Sequence, residues 1–402
     1  MFAFVCLAAC STNEPQALPP RQVPSTFVAP SAAPETQSVA YQIDTTHSGH
    51  VEAELRRPLK VQWTAHFRGG VSYPVAANGI VVVVAYNNVV GLNAKTGKRL
   101  WSQGSPSESW VGPAYDKGLI FVDPQDTFNN DEGIVAFNQR SGKLIWSASV
   151  PQEWDFTSPP TAYAGTVYTA AAGDGGFVYA YDEQTGTLKW KQSVENGEDS
   201  SPAVTSDGVY VSYSCPQTYD FDPQSGAQIW HYKGDCEGGG GSTPVVYAGL
   251  LFVEGADSTK GRNALIFNAE KGTVAGAYTS YYPPAFANHV GYFVKDYGGT
   301  LEARSIPAMN VIWKVTVPER AIATAPLVVG HVVYIETKAG VLLGYDRANG
   351  KQLVDMHLGH GGVRRGLTVG LGYYDGELLV PNGTELVALK GSESGAFQKS
   401  AR

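Results

Sequence analysis

The 402-residue chain is poor in most of what metal, thiol and nucleic-acid chemistry requires. It has four cysteines, none adjacent to another and none in a Cys-x-x-Cys pair, and its eight histidines are scattered. That composition gives no zinc or cysteine-redox framework. Only 16% of the residues are charged, the formal net charge is -8, and no Lys/Arg cluster stands out. A nucleic-acid footprint, which rests on clustered cations facing phosphates, is therefore not expected. No apolar run approaches the 18 or so residues of a membrane-crossing helix. The glycines Gly238 to Gly241 lead into a strand-like segment with no Lys-Ser/Thr behind them, so they are not a phosphate cradle. Nothing places a nucleophile, a base and an orienting acid together, and no catalytic residue is assigned.

What the chain does have is glycine, 46 in all, and tryptophan in register. A segment of about 40 residues recurs around Asx-x-x-(Thr/Ser)-Gly-x-x-x-Trp. Four copies are clean: Asn93 to Gly97 with Trp101, Asn138 to Gly142 with Trp146, Asp182 to Gly186 with Trp190, and Asp222 to Gly226 with Trp230. Asn268 to Gly272 and Asp346 to Gly350 keep the turn but carry Gly276 and Val354 where Trp is expected. Trp313 marks a copy without its turn glycine, and Trp63 stands alone near the front. These eight anchors are separated by 38, 45, 44, 40, 46, 37 and 41 residues.

Within a copy, apolar stretches alternate with tight turns. In the third, the stretch from Ser158 to Tyr163, then Thr166 to Ala171, Phe177 to Tyr181 and Thr187 to Val194 read as four strands of an antiparallel meander. The Asx side chain accepts a turn N–H while the Gly takes φ > 0. The Trp then lies on the outermost strand, where a flat ring packs between neighbouring meanders. Ala136 and Ala180 are small enough to receive a ring from the adjacent meander. Most copies open with a proline-led strand, where the missing N–H costs no ladder bond. The last copy ends without its outer strand, and Leu59 to Phe67, carrying Trp63, is an outer strand without a meander. Joining the two closes a ring of eight blades and leaves no sheet edge at the seam. Seven blades remain the alternative if the copy around Met309 is an insertion.

This Asx-x-x-Thr-Gly-x-x-x-Trp repeat resembles the tryptophan-docking motif of PQQ-like (quinoprotein-type) eight-bladed β-propellers, over roughly residues 59 to 390. The resemblance implies an all-β fold of four-stranded antiparallel blades. It covers both pyrroloquinoline quinone (PQQ) dehydrogenases and non-enzymatic, BamB-like propeller lipoproteins of the outer-membrane assembly machinery. The dehydrogenases carry a vicinal disulfide, a Ca²⁺ held by Glu, Asn and Asp, and a catalytic Asp. This chain has no adjacent cysteines and none of the long insertions that build such a site, so no cofactor is expected, with PQQ and calcium as the alternative.

Residues 1–10 read as a remnant of a lipoprotein signal ending in lipobox-like Leu7-Ala8-Ala9-Cys10, with Cys10 as the lipidation site, although a basic n-region is missing. Residues 11–58, rich in Pro, read as a disordered tether. The propeller spans 59–391, and 392–402 form a disordered tail. Cys215 and Cys236 flank one hairpin, and their indices sum to within the range expected of cross-strand partners. A structural disulfide follows, which suits a secreted location.

Candidate mouth residues are Trp110, Trp154, Asp155 and Asp199, with Tyr281, Arg320, Arg364 and Arg365. The oxygen-rich stretch containing Asp126 and Asp131 is a weak calcium candidate without EF-hand spacing, and a solvated loop is the simpler reading. Trp63, Trp101, Trp146, Trp190, Trp230 and Trp313 are assigned to blade docking. The expected function is an extracytoplasmic, lipid-anchored binding or assembly scaffold at the cell envelope. Its partner would be a protein or another envelope component, with no nucleic acid. A PQQ-dependent dehydrogenase or a small-ligand sensor are the alternatives.

Overall fold

The computed structural model describes residues 37–104, 109–125, 133–150, 158–173, 175–195, 197, 200–213, 217–234, 241–254, 264–317, 321–359 and 369–392. The described residues form eight blades of antiparallel sheet. Blades 1 to 7 run from an inner strand to an outer one. They begin at Val75–Ala77, Ser109–Asp116, Thr161–Tyr163, Ala203–Val204, Val245–Tyr247, Ala285–Ala287 and Leu327–Val329. Blade 8 is made of Gly372–Tyr374, Glu377–Asn382 and Glu385–Gly391, and its outer strand is Leu59–His66 from the front of the chain. The ring therefore closes through Trp63↔Ala388 and its flanking pairs. The count is eight rather than seven, because the Met309 region is the last turn of a complete blade 6.

Each repeat turn is built as its sequence dictates. Asp182 Oδ1 accepts the N–H groups of Gln184 and Thr185 and the Thr185 hydroxyl, at 3.0 to 3.1 Å. Gly186 closes the turn at φ +69°. In every blade the pairing between third and outer strands slips by one residue just before the anchor position, as between Ala180 and Tyr181 opposite Trp190 and Leu188. A bulge of this kind re-aims a side chain, here turning the Trp off its own sheet.

Six Trp rings then dock in one direction, each onto the turn of the next blade. Their Nε1–H groups donate to Ala94, Gln139, Glu183, Pro223, Ala269 and Arg347 carbonyls at 2.7 to 3.0 Å. The acceptor is always the residue after the Asx, and the ring lies over the turn glycine: Trp63 on Gly97, Trp146 on Gly186, Trp190 on Gly226. The small residues expected to receive a neighbour's ring have a different role. Ala136 and Ala180 sit opposite Trp146 and Trp190 of their own blades. They make room for the ring to leave its own sheet, and the neighbour's turn receives it. Where the Trp is Gly276, the facing residue is the larger Ile266, which fills the space. Where it is Val354, Leu55 from the front of the chain is buried in the same apolar cluster.

Residues 37–58 are not the tail of a disordered tether. They are hydrogen-bonded across the ring, and Tyr41, Ile43, Val51 and Leu55 are buried. Residues 11–36 of the expected tether, the signal region and residues 393–402 of the tail lie outside the described residues.

Candidate functional site

The inner strand of every blade is a sheet edge facing the ring axis, so its outward N–H groups need partners from elsewhere. In blades 1, 4, 5, 6 and 7 the group in question lies two residues after the strand-opening proline: Ala76, Val204, Val246, Phe286 and Val328. Residues 38–51 supply the acceptors. Ser38 O takes Ala76 N–H (2.7 Å), Val39 O takes Tyr115 (2.8 Å), and Thr45 O takes Val204 (2.6 Å). Thr46, Ser48 and Gly49 carbonyls take Val246, Phe286 and Val328 at 2.8 to 3.0 Å. Ser38 Oγ takes Tyr373 N–H in blade 8 at 2.8 Å. Seven of eight blades are thus capped on the axis by one segment. Each such donor left buried without a partner would cost about 1–3 kcal/mol.

The segment holds its path through a local turn. Asp44 Oδ1 accepts Thr46 N–H, Thr46 Oγ1–H and Ser48 N–H at 2.8 to 3.0 Å, and Oδ2 accepts the Ser48 hydroxyl. Gln42, Ile43 and His47 have φ of 54°, 81° and 58°. For a β-branched residue such as Ile43 this is a strained conformation, held because the surrounding bonds over-determine it. His47 is fully buried, with Nδ1 3.0 Å from Pro244 O and Nε2 3.3 Å from Ser201 Oγ. Burial pushes its imidazole down to about 4, against partial opposition from the Pro244 hydrogen bond and Asp44. It is neutral at pH 7, with Nδ1–H donating to Pro244.

On the mouth side of this plug lies a level of hydroxyls. Ser72, Ser200 and Thr324, each two residues before a strand-opening proline, accept the N–H groups of Val84, Ser212 and Glu336 at 2.9 to 3.1 Å. The second strands bring buried acids to the same level. Asp123 pairs with inner-strand Val111 in blade 2, while Glu254 directly follows the second strand of blade 5 and Glu336 ends that of blade 7. Thr169 donates to Asp123 Oδ2 at 2.5 Å, and Oδ1 is buried without a partner among the described residues. Burial raises the Asp123 carboxyl to about 7, with the Thr169 bond opposing, and burial raises Glu336 to about 8. Burial likewise raises Tyr41 far above its ordinary range, with Glu254 and Tyr282 adding to the effect. Carboxyls that titrate near neutrality suit proton transfer, although interior packing also produces them.

The sequence-predicted site residues divide three ways. Tyr281 lies on the loop between blades 5 and 6, half-buried, with ring centroids 5.0 Å from Tyr282 and 5.8 Å from Tyr297. Trp110 does not face the mouth. It is 6% exposed, donates to Asn87 O at 3.2 Å and packs edge-on to Phe137, tying blade 2 to blade 1. Trp154, Asp155, Asp199, Arg320, Arg364, Arg365, Asp126, Asp131, Cys10, Cys215 and Cys236 lie outside the described residues. The hairpin between those last two cysteines pairs as its indices require up to Thr218↔Tyr232.

The axial segment, His47 and the acid level escaped sequence reasoning, though signals were present. No proline falls between Pro34 and Pro58, and the apolar residues Val39, Tyr41, Ile43, Val51 and Leu55 fill that interval. Ser/Thr-x-Pro recurs at Ser72, Ser158, Ser200, Ser242 and Thr324.

The fold family implies PQQ beside calcium. Calcium takes six to eight oxygens with several carboxylates converging, and no group of three His, Cys, Asp or Glu side chains comes together among the described residues. The described residues do not fit that group.

Comparison with known proteins agrees with the geometry. A curated relative, the tetrathionate hydrolase of Acidithiobacillus ferrooxidans, is 26% identical over 297 residues, covering 69% of this chain and 50% of that protein. The chain thus spans about half the length of that relative. Quinohemoprotein alcohol dehydrogenase from Pseudomonas putida HK5 superposes with a TM-score of 0.69 at 13% identity, over 92% of this chain and 82% of that one. BamB from Moraxella catarrhalis superposes at 0.64 and 14% identity, over 84% and 99%. At these identities the likeness to solved structures is one of fold. The profile of the family described as outer membrane protein assembly factor BamB matches residues 48–176 and 174–285, more than half of the sequence, and the chain belongs to that family.

Proposed function

We propose that this protein is a non-catalytic binding and assembly scaffold of the cell envelope, located outside the cytoplasm and anchored through a lipid on Cys10. The observation that most supports this is the filled axis. The chain's own residues 38–51 take the inner-edge donors, which leaves the mouth loops and the outer rim to a partner. Tyr86 and Tyr297, 57% and 59% exposed at mouth-face turns, are the aromatic contacts such a surface would use. The test is a photo-cross-linking residue at position 86 or 297 in cells, followed by identification of adducts. A discrete protein adduct in the membrane fraction is expected. Absence of adducts at both positions, with the protein recovered away from membranes, would overturn the reading.

A second reading, an enzyme, is favoured by one observation: the buried Asp123 carboxyl, which titrates near 7 and has one oxygen without a partner. The relative named a tetrathionate hydrolase makes that thiol-free polythionate a substrate to try, and PQQ with calcium a cofactor to try. Turnover of tetrathionate that Asp123→Asn abolishes, or stoichiometric PQQ uptake with substrate-dependent dye reduction, would replace the scaffold reading.

A further inference from the structure

We propose that the ring axis is a receptor for an extended peptide, and that residues 38–51 are its resident ligand, bound in cis and exchangeable for the same peptide in trans. Three observations carry this. The contacts between segment and ring are largely backbone to backbone, six carbonyls onto six inner-strand N–H groups, which is the chemistry of strand addition to a sheet edge. The ring's own closure is independent of the segment. Blade 8 is completed by Leu59–His66, downstream of the plug. Removing residues before 57 therefore takes away the two-residue strand His50–Val51 added at the inner edge of blade 7 but none of the four strands of any blade. The segment also carries its own fold, the turn around the Asp44 carboxylate.

Side-chain recognition is confined to a few points that set direction and register. Ser38 Oγ bonds the Tyr373 backbone at 2.8 Å, Gln42 Nε2 donates to Pro283 O at 2.9 Å, Thr45 Oγ1 to Val204 O at 3.0 Å, and His47 sits between Pro244 and Ser201. The matching ligand is thus a peptide of about fourteen residues that circles the axis and points its carbonyls outward around an Asp-centred turn. Parallel pairing of His50↔Val328 and Val51↔Val329 ends the site. This inference concerns the axis and holds whether the mouth serves a scaffold or an enzyme.

The test uses the full chain with a specific protease site inserted between the exposed Arg56 and Arg57. After cleavage, a fluorescent synthetic peptide of residues 38–53 is titrated and followed by anisotropy. Saturable uptake by the nicked protein, and none by the uncut protein, is expected. The Asp44→Ala peptide should bind at least about ten-fold more weakly, since it loses the acceptor of four turn bonds. The proposal is overturned if the nicked ring keeps its β circular dichroism but takes up no peptide, if it loses that signal when the segment leaves, or if the Asp44→Ala peptide binds as well as the native one. Should the insertion prevent folding, hydrogen exchange of the unaltered protein decides. The amides of Ala76, Val204, Val246, Phe286 and Val328 should open together, more readily than mid-blade amides such as Val82. Opening of these five at unrelated rates would refute the site.

Discussion

The docking of each Trp on its neighbour's turn glycine is best tested with two glycines of one blade. Gly186 and Gly165 both have left-handed backbone, φ +69° and +88°. An alanine at either place pays the same conformational penalty, about 1–2 kcal/mol. Their surroundings differ. A Cβ at Gly186 would stand 2.6 Å from Cδ2 of the Trp146 ring, whereas at Gly165 the nearest atom is the flexible end of Lys117 at 4.0 Å. Trp146 is 9% exposed and held by its bond to Glu183 O. It cannot retreat without giving up that bond or its packing on Phe121, and overpacking of this kind costs about 1–3 kcal/mol. Gly186→Ala should therefore destabilise by about 2–5 kcal/mol and Gly165→Ala by about 1–2. Urea midpoints followed by circular dichroism and by tryptophan emission measure the difference, and only Gly186→Ala should red-shift native emission. Equal midpoints for the two variants would refute the docking argument, since the shared backbone term cancels in that comparison.

Other expectations follow from the axis and the cysteines. His47 binds a proton at about 4 in the folded chain and near 6.5 when unfolded. The neutral form is favoured by folding, so its stabilising share is complete above pH 6.5 and is lost as pH falls toward 4, up to about 3 kcal/mol. Thermal midpoints of the native protein and His47→Asn should therefore converge on acidification, and parallel curves would contradict the buried, neutral ring. Asp123 has the opposite sign. Its carboxyl is raised to about 7, so its share of stability is complete below pH 4 and is lost as pH rises through 7. Asp123→Asn should then gain on the native protein between about pH 4 and 7 in the same measurement, and a constant gap would count against the assignment. For Cys215 and Cys236 we expect a disulfide, seen without reduction as a linked, unalkylated peptide pair lighter by two hydrogen atoms than the two thiol peptides together. Recovery of both as alkylated thiols would exclude it.

Most of the blade grammar was legible from residues a few positions apart. Asx and Gly make a turn by themselves, and a Trp four residues later falls on the next strand whatever surrounds it. Asp182, Gly186 and Trp190 could therefore be read directly, and so could the seam, because an unmatched outer strand at Trp63 and a missing one after Leu389 complement each other. Trp110 was misplaced for the converse reason. It lies at the start of the inner strand of blade 2, Ser109–Asp116, and only the packing of blade 2 on blade 1 decides that its ring points inward. Residues 37–58 read as tether because composition gives the whole front of the chain one character, although no proline lies between Pro34 and Pro58.

The sequence by itself determined the repeat and the way the ring shuts, since both depend on local turn geometry and on matching strands. The choice of eight blades over seven waited on the complete blade 6 around Met309. Only the tertiary structure decided that every docked Trp serves the next blade, that Asp123 and Glu336 are buried, and that Ser38 meets Tyr373 across a separation of 335 residues. The reason is the same in each case. A donor on an inner edge leaves no mark in its own neighbourhood to say what will cap it, and that partner exists only once the ring has brought distant segments to a common axis.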